Sequence, residues 1–342
     1  MQKKTYGSLL LYNKWIAIVP LHFEIKQVIF QTNSLHDLYM NKTAPTSIEY
    51  SVQQNIGDSS TPIKKVVIKN QRRKLVSDRV IVEQPLQITL VWVNNHDDNP
   101  LEYSQVFSIT MRTPGNDRQL ILGLLMSEGV IDSVENIADI SPNLTEGNNN
   151  LWEVTLSKGI VPELSSLERY QMTYSSCGLC GTTSLKSLEL RNPPILCEQK
   201  HVLSITDILL MSEKMREQQV LFNVTGSSHA AGLFSGNNLL DVREDIGRHN
   251  AVDKLFGALL ESRSCASTKI PEHLACLVSS RVSFEIVQKS VMAGIAILIA
   301  VGAPSDLAIS AAKRFNLTLI GFTSNNGFNV YHGEWRLHPL ET

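Results

Sequence analysis

Apolar strands alternate with helices through the C-terminal part of the chain, and this rhythm restricts the fold more than any other feature. LACLVSS at 274–280 precedes a predicted helix at 284–293, and IAILIAVG at 295–302 precedes another at 306–315. LTLIGFT at 317–323 follows, and a turn then leads to FNVYHG. Strands that are apolar at every position are typical of sheets covered by helices on both faces. The pattern therefore predicts an α/β fold of the three-layer sandwich kind.

Further strands and helices are predicted earlier in the chain. LQITLVWVN (86–94) and VFSITMRTP (106–114) alternate like two paired strands. A helix with an Asn or Asp cap is predicted at 116–129, and LWEVTLS at 151–157 resembles another strand. The segment 204–218 has helical spacing and a serine at its start.

These elements divide the chain into three parts. Residues 1–75 show little periodicity and are predicted to form a poorly ordered N-terminal extension. A small α/β subdomain is predicted at 76–165. The main α/β domain, with a cysteine-containing loop near its start, is predicted at 166–342.

Composition and charge narrow the class of protein. The chain has 342 residues, a formal net charge of −2 and 43% hydrophobic residues, which is typical of a globular protein without affinity for nucleic acid. Of its two most apolar stretches, 8–31 is interrupted by charges and 291–303 is too short to span a bilayer. Five cysteines without a disulfide-like spacing favour a reducing compartment. The sequence thus predicts a cytoplasmic protein that does not bind membranes.

Cys177 and Cys180 stand in the glycine- and serine-rich stretch TYSSCGLCGTTS. Such a pair can ligate a metal, form a disulfide or pass sulfur between two thiols. A zinc site would be half complete, because structural zinc takes four ligands and the chain has no second pair of this kind. Small polar neighbours favour an accessible, reactive thiolate over a buried structural cysteine.

Polar side chains also occur where strands and helices are predicted to meet. A strand is predicted to end at 225–226, and His229 is predicted to open the next helix. Arg248 stands at the start of a helix in REDIGRHNAVDKL, and Arg281 stands between a strand and a helix in SRVSFEIVQK. Open α/β sheets bind ligands at the ends of their strands, and helix N-termini bind phosphates. The sequence therefore predicts one anionic pocket at the strand ends.

Eight segments, taken in order, resemble the formate dehydrogenase accessory sulfurtransferase family, the FdhD proteins. The resemblance extends from about residue 82 to residue 337. The segments are EQPL (83–86), RTP with LILGLLMSEGVI (112–131), SSCGLCG (175–181), TGSSHAAG (225–232), REDIGRHNAVDKL (243–255), SRVSFEIVQK (280–289), GAPSDLAI (302–309) and GFTSNNGFNVYHGEWRL (321–337).

The resemblance implies a sulfurtransferase, a sulfur carrier protein that takes persulfide sulfur from a cysteine desulfurase. The carrier would deliver this sulfur to the bis-molybdopterin guanine dinucleotide cofactor of molybdenum, its bound substrate, which the formate dehydrogenase apoprotein requires. Cys177 would hold the persulfide and Cys180 would be its partner. The family fold resembles cytidine deaminase, and the family suggests a homodimer.

The resemblance also implies a cofactor-binding stretch after the last long strand. It consists of Phe322, Thr323, Ser324, Asn325, Asn326 and Gly327. From their positions at turns, we add His229 and three arginines, Arg243, Arg248 and Arg281, as groups for the polyanionic tails of the cofactor. No resident metal is expected.

Two other functions stay open at this point. One is a non-catalytic molybdenum-cofactor chaperone, in which the cysteines only hold or sense something. The other is a zinc deaminase relative, because the sequence around His229 is similar to the His-Ala-Glu of those enzymes. Alanine replaces the glutamate here and the cysteine pair precedes the histidine, so deaminase chemistry is disfavoured.

Overall fold

The computed structural model of the chain describes residues 56–94, 101–143, 149–162, 193–196, 198–200, 202–264 and 273–339. These residues belong to one compact unit, Glu49–Thr342. None of their helices combines the length and the apolar character needed to cross a membrane. The predicted sulfur-carrying pair, Cys177 and Cys180, lies outside the described residues.

Strands and helices alternate along the described residues. In chain order they are α1 (Ile56–Ser59), β1 (Ser60–Lys69), β2 (Arg72–Ile81), β3 (Gln84–Asn94), β4 (Leu101–Arg112), α2 (Asp117–Ser127), β5 (Ile137–Pro142), β6 (Leu151–Leu156), α3 (Ile205–Gln218), α4 (Val220–Thr225), β7 (His229–Ser235), β8 (Asn238–Asp245), α5 (Arg248–Ser264), β9 (Leu274–Val278), α6 (Phe284–Met292), β10 (Ile297–Ala300), α7 (Asp306–Arg314), β11 (Thr318–Ser324) and β12 (Gly327–His332). Short 3-10 turns occupy Val134–Asn136 and Glu334–Arg336.

The main sheet has six strands in the order β12-β11-β10-β9-β7-β8. Strands β9, β10 and β11 are parallel, β7 runs antiparallel to β9, and β12 runs antiparallel to β11. Every residue of β9 and β10 is buried. The prediction that these apolar runs are strands covered on both faces is therefore confirmed.

Helices cover both faces of this sheet. On one face Ile208 and Met211 of α3 pack with strand residues such as Leu277 and Ile299. On the other face helices α5, α6 and α7 pack against the alternate strand residues, which include Leu298. The predicted α/β fold is confirmed, whereas the specific likeness to cytidine deaminase stays a prediction.

A second sheet has four strands in the order β4-β3-β6-β5. Strands β3 and β4 are antiparallel neighbours, as predicted, and the predicted strand at 151–157 is confirmed as β6. The second sheet and α2 share one hydrophobic core with α5 and the main sheet. Helices α2 and α5 cross backbone to backbone: a Cβ atom on Gly257 would lie 1.9 Å from the carbonyl oxygen of Gln119.

Regular structure begins earlier in the chain than the sequence predicts. Residues 60–81 form an antiparallel hairpin of β1 and β2, so the predicted end of the extension at residue 75 falls inside β2. Most side chains of this hairpin are exposed on both faces. Its strands therefore lack the alternation of apolar and polar residues by which a half-buried strand is identified. The other predicted domain boundary stays a prediction.

The segment around His229 also differs from the prediction. The predicted strand ending at 225–226 is helix α4, and His229 opens strand β7 instead of a helix. The carboxylate of Glu244 accepts hydrogen bonds from the N–H groups of Leu221 (2.7 Å) and Phe222 (2.8 Å), which satisfies the first turn of α4. Strand β7 lies between β8 and β9, and this tertiary setting outweighs the helical preference of its alanines.

Candidate functional site

The amino end of β7 and the carboxyl end of β9 meet at one edge of the main sheet. The Ser279 hydroxyl accepts a hydrogen bond from the N–H of Ala230 at 2.9 Å, and the Ser279 N–H donates to the Ala230 carbonyl at 2.9 Å. This reciprocal pair fixes the position of His229, the residue before Ala230, at the edge.

The same edge continues across β10 and β11. The Gly302 N–H donates to the Ser280 carbonyl at 3.2 Å, and the Phe322 N–H donates to the Gly302 carbonyl at 3.2 Å. A side chain could not replace the glycine, because a Cβ atom on Gly302 would lie 2.9 Å from the backbone nitrogen of Arg281. The backbone therefore brings Arg281 and Phe322 to the edge that carries His229. We call this edge, with the start of α5, the strand-end site.

A buried ion pair shapes the start of α5. Asp245 ends β8 directly opposite His229, and its carboxylate accepts the N–H of Gly247 at 2.8 Å. The Lys254 ammonium lies 2.7 Å from the same carboxylate, and both side chains are fully buried. The chain then enters α5 at Arg248, with no acidic residue in the first helical turn. The first N–H groups of a helix have no acceptor within the helix, and here an arginine stands beside them. This helix start is therefore suited to binding an anion.

His249 connects the starts of α5 and α6. Its Nε2 lies 3.3 Å from the Ser283 hydroxyl and 2.9 Å from a carboxylate oxygen of Glu285. Burial raises the pKa of Glu285, but the hydrogen bond from His249 and the surrounding positive charges outweigh burial, and the net pKa lies below its usual value. Glu285 is thus an anion at neutral pH that holds His249 in place. Neither residue is predicted from the sequence to be a site residue, because their pairing joins two helices that are far apart along the chain.

His229 occupies a different electrostatic setting. Burial lowers its pKa below the usual value, and the positive charges of Arg248 and His249 lower it further, against a smaller opposite effect of Asp245. His229 is therefore neutral at pH 7 and can accept a hydrogen bond or a proton.

At the strand-end site, two buried polar atoms have no hydrogen-bond partner among the residues that the structure describes. They are Nε of Arg248 and the hydroxyl oxygen of Thr323. A buried polar group without a partner costs about 1–3 kcal/mol, so an unpaired guanidinium nitrogen is unusual in a folded protein. A phosphate oxygen would satisfy the guanidinium nitrogen.

The predicted stretch 322–327 forms the bulged end of the β11–β12 hairpin. Phe322 has a φ of 56°, the left-handed region that residues other than glycine rarely adopt, and the pairing of β11 with β12 is irregular there. Phe322 is 52% exposed, and its side chain offers an aromatic surface at the sheet edge. Asn325 and Asn326 form the exposed turn, with the Asn326 N–H donating to the Ser324 hydroxyl at 3.3 Å.

One of the three assigned arginines is engaged elsewhere. Arg243 is buried in β8, and its Nε lies 2.9 Å from the carboxylate of Asp241. Arg281, in contrast, is exposed. The structure therefore leaves Arg248 and Arg281 for an anion at this edge, and their binding role stays a prediction. In the described part of the chain, no three His, Cys, Asp or Glu side chains are grouped to hold a metal ion.

The assigned persulfide residues, Cys177 and Cys180, lie outside the described residues. Cys276 is described and is fully buried in β9. Burial raises the pKa of its thiol far above the usual value, so the thiolate does not form at neutral pH. A protein-borne sulfur donor could not reach Cys276 without unfolding of the sheet.

Comparisons with known proteins agree with one another. The sequence model described as FdhD/NarQ family matches residues 81–338. The protein named sulfur carrier protein FdhD from Streptomyces avermitilis is 41% identical over 273 residues, which cover 76% of this chain and 89% of that protein. The protein of the same name from Sulfurisphaera tokodaii is 38% identical over 271 residues, which cover 79% of this chain and 95% of that protein.

A solved structure shares the fold. It is the crystal structure of a proposed formate dehydrogenase accessory protein from Desulfotalea psychrophila, with a TM-score of 0.60 and 24% sequence identity. The match covers 82% of this chain and 99% of that one.

Proposed function

The chain belongs to the FdhD/NarQ family, and from this premise we propose that it is a sulfurtransferase that carries sulfur as a persulfide on Cys177. The sulfur comes from a cysteine desulfurase and passes to the bis-molybdopterin guanine dinucleotide cofactor, for use by formate dehydrogenase. The observation that carries the proposal is the Cys177–Cys180 pair, which lies inside the part of the chain that the family model matches.

The proposed reaction consists of two balanced half-reactions. In the first, the Cys177 thiolate attacks the outer sulfur of the donor's persulfide, the S–S bond of the donor breaks, and the donor thiolate leaves. In the second, the Cys180 thiolate attacks the inner sulfur of the Cys177 persulfide, and hydrosulfide leaves towards the cofactor. The two cysteines become a disulfide, and their oxidation supplies the electrons that reduce sulfane sulfur to sulfide. A small-molecule thiol then reduces the disulfide.

The strand-end site supports the cofactor half of this proposal. The guanine dinucleotide tails are polyanionic. The start of α5 offers the N–H groups of a first helical turn and the Nε of Arg248, which has no partner among the described residues. The exposed ring of Phe322 can stack on a guanine base. Neutral His229 can accept a hydrogen bond from the base or the ribose.

Intact-mass measurement tests the thiol chemistry. The purified chain is incubated with a cysteine desulfurase and cysteine, and the wild type is expected to gain the mass of one sulfur atom. Cys177→Ala should gain none. Cys180→Ala should keep the adduct for longer than the wild type, because the thiol that displaces hydrosulfide is absent. A wild type without an adduct contradicts the proposal.

The alternative is a non-catalytic chaperone for the cofactor. It uses the strand-end site in the same way but needs no reactive thiol. Under this alternative, cells that carry Cys177→Ala in place of the wild type retain formate dehydrogenase activity. Under the proposed function they lose it, while the purified variant still binds guanine nucleotide.

A further inference from the structure

The β1–β2 hairpin, residues 60–81, has no part in the strand-end site, and we call it the basic hairpin. It contains seven Lys and Arg residues and a single acidic residue, Asp78. The whole chain has 31 Lys and Arg against 33 Asp and Glu, so the remainder has 24 against 32. The basic hairpin is therefore a positively charged arm on a negatively charged protein.

Most of these positive charges are not paired with an acidic group in the part of the chain that the structure describes. Within the hairpin, Lys65 pairs with Asp78, and Arg79 donates from Nε to the Ser60 hydroxyl at 3.0 Å. The other cations are exposed and are not paired with a carboxylate of the described residues; they are Lys64, Lys69, Arg72, Arg73 and Lys74.

One face of the basic hairpin carries an exposed apolar group, whereas Lys69, Arg72 and Lys74 lie on the opposite face. Val66 pairs with Leu75 across the strands, and Ile68 lies on the same face two residues further along β1. Their exposed fractions are 51%, 62% and 67%. Lys64 and Arg73 lie on this face as well, on either side of the apolar group. Lysines on edge strands prevent aggregation, but that role does not account for an apolar group left exposed among them.

The base of the basic hairpin is fixed close to the strand-end site. The Ser59 hydroxyl, at the start of β1, donates to the Pro114 carbonyl at 2.8 Å. The neighbouring Thr113 N–H donates to the Asp245 carboxylate at 3.0 Å. Asp245 is the residue opposite His229 in the β7–β8 pair. The base of the basic hairpin is therefore next to the site where we propose that the cofactor binds, and its apolar group lies six to eight residues, about 20–26 Å, further along β1.

We propose that the basic hairpin docks the sulfur-donating protein, through a surface on that protein with an apolar centre and an acidic border. This inference rests on the proposed function. The acceptor in that reaction is a small anion that the strand-end site can hold, so the reactant that needs a protein-binding surface is the donor. A nucleic acid fits less well, because its phosphates do not use an apolar face and the rest of the chain is negatively charged.

Binding of the full-length chain to a cysteine desulfurase, measured by calorimetry at low and high salt, tests the proposal. Lys64→Glu/Arg73→Glu should weaken binding roughly tenfold at low salt and less at high salt, because exposed charges are screened. Ile68→Ser/Leu75→Ser should weaken binding without changing its salt dependence. The matched control, Lys158→Glu/Lys200→Glu, reverses two exposed charges elsewhere and should bind like the wild type.

A second measurement separates docking from chemistry. Inorganic polysulfide supplies sulfane sulfur without a donor protein, so both hairpin variants should form the Cys177 persulfide from it as fast as the wild type. A wild type that forms no persulfide from either source contradicts the proposed function. Unchanged desulfurase binding by both hairpin variants overturns the docking proposal. The docking proposal is also overturned if the hairpin variants bind duplex DNA more weakly than the wild type but bind the desulfurase with unchanged affinity.

Discussion

Arg248 opens helix α5 at the strand-end site, and its buried Nε has no hydrogen-bond partner within the described part of the chain. Desolvating a guanidinium nitrogen without pairing it is unfavourable for folding. At this helix N-terminus a phosphate would be held by the backbone N–H groups and by the arginine together. The unsatisfied nitrogen therefore makes the start of α5 suited to an anion.

Replacing Arg248 with leucine should weaken the binding of guanosine diphosphate, a probe for the cofactor tail. The lost charge-assisted hydrogen bonds correspond to about 1.5–3 kcal/mol of binding free energy. The free energy of unfolding should stay the same or rise, because an unsatisfied buried group is removed. Calorimetric titration and urea denaturation measure the two quantities. Arg314→Leu, at an exposed site on α7, serves as the control. A lower stability with unchanged nucleotide affinity would assign Arg248 a structural role instead.

His229 and His249 have different surroundings at the site. Burial and nearby positive charges lower the pKa of His229, so it is neutral at pH 7 and can accept a hydrogen bond. The Nε2 of His249 lies 2.9 Å from a carboxylate oxygen of Glu285. The strand-end site therefore offers an acceptor at His229, while Glu285 holds His249 in place.

Helix α5 connects the site to the rest of the protein. Its first residue is Arg248, its middle carries the buried Asp253 and Lys254, and its apolar residues join the core shared by both sheets. Gly123 of α2 and Gly257 of α5 allow the two helix backbones to touch without intervening side chains. A Cβ atom on Gly123 would lie 1.9 Å from the carbonyl oxygen of Asp253 in α5. The position of the helix start is thus fixed by this crossing.

Gly257→Ala should force α2 and α5 apart. The new methyl group would overlap the Gln119 carbonyl oxygen, which belongs to a helix backbone and cannot rotate away. We expect a loss of about 3 kcal/mol or more in the free energy of unfolding, measured by urea denaturation. Ser264→Ala, at the exposed end of the same helix, should change it by less than about 0.5 kcal/mol. A stable Gly257→Ala variant with unaltered affinity for nucleotide would contradict the role of the crossing.

The sequence predicts the elements that are buried on all sides. Strands β9 and β10 and the first four residues of β11 are buried, and the apolar composition of these runs predicts this. The helix α4 is not predicted, because its first turn depends on Glu244, which lies in β8. The basic hairpin is not predicted, because neither of its faces has the pattern that burial imposes.

Some features of the candidate site could also be predicted from the sequence, whereas others depend on contacts in the folded chain. That polar turns after β9 and β11 share one edge could be inferred from the rule for parallel strands. The pairing of His249 with Glu285, and of Arg243 with Asp241, depends on side-chain directions within the folded chain. Arg243 and Arg248 are similar in sequence context, yet only contacts in three dimensions show that Arg243 is engaged in a buried ion pair.

A buried ion pair joins α2, α5 and α6 and links the two sheets into one structure. The Lys289 ammonium lies 2.8 Å and 2.9 Å from the two carboxylate oxygens of Asp253, and the Ser127 hydroxyl donates to the same carboxylate at 3.0 Å. Burial lowers the pKa of Lys289, but the charge of Asp253 outweighs burial, and the net pKa lies above its usual value. The ammonium is therefore charged throughout the neutral range.

Lys289→Met should remove about 3–5 kcal/mol from the free energy of unfolding, because it leaves the Asp253 carboxylate buried and unpaired. Asp253→Leu/Lys289→Met should cost less than the single change, since no buried charge remains. Urea denaturation of the wild type, both single variants and the double variant gives the coupling energy. Lys313→Met, at an exposed site, should leave the free energy of unfolding unchanged.

Because the two sheets share one core, intrinsic fluorescence and far-UV circular dichroism should lose signal at the same urea concentration in every variant. Separate transitions would show that the ion pair does not unite the two sheets.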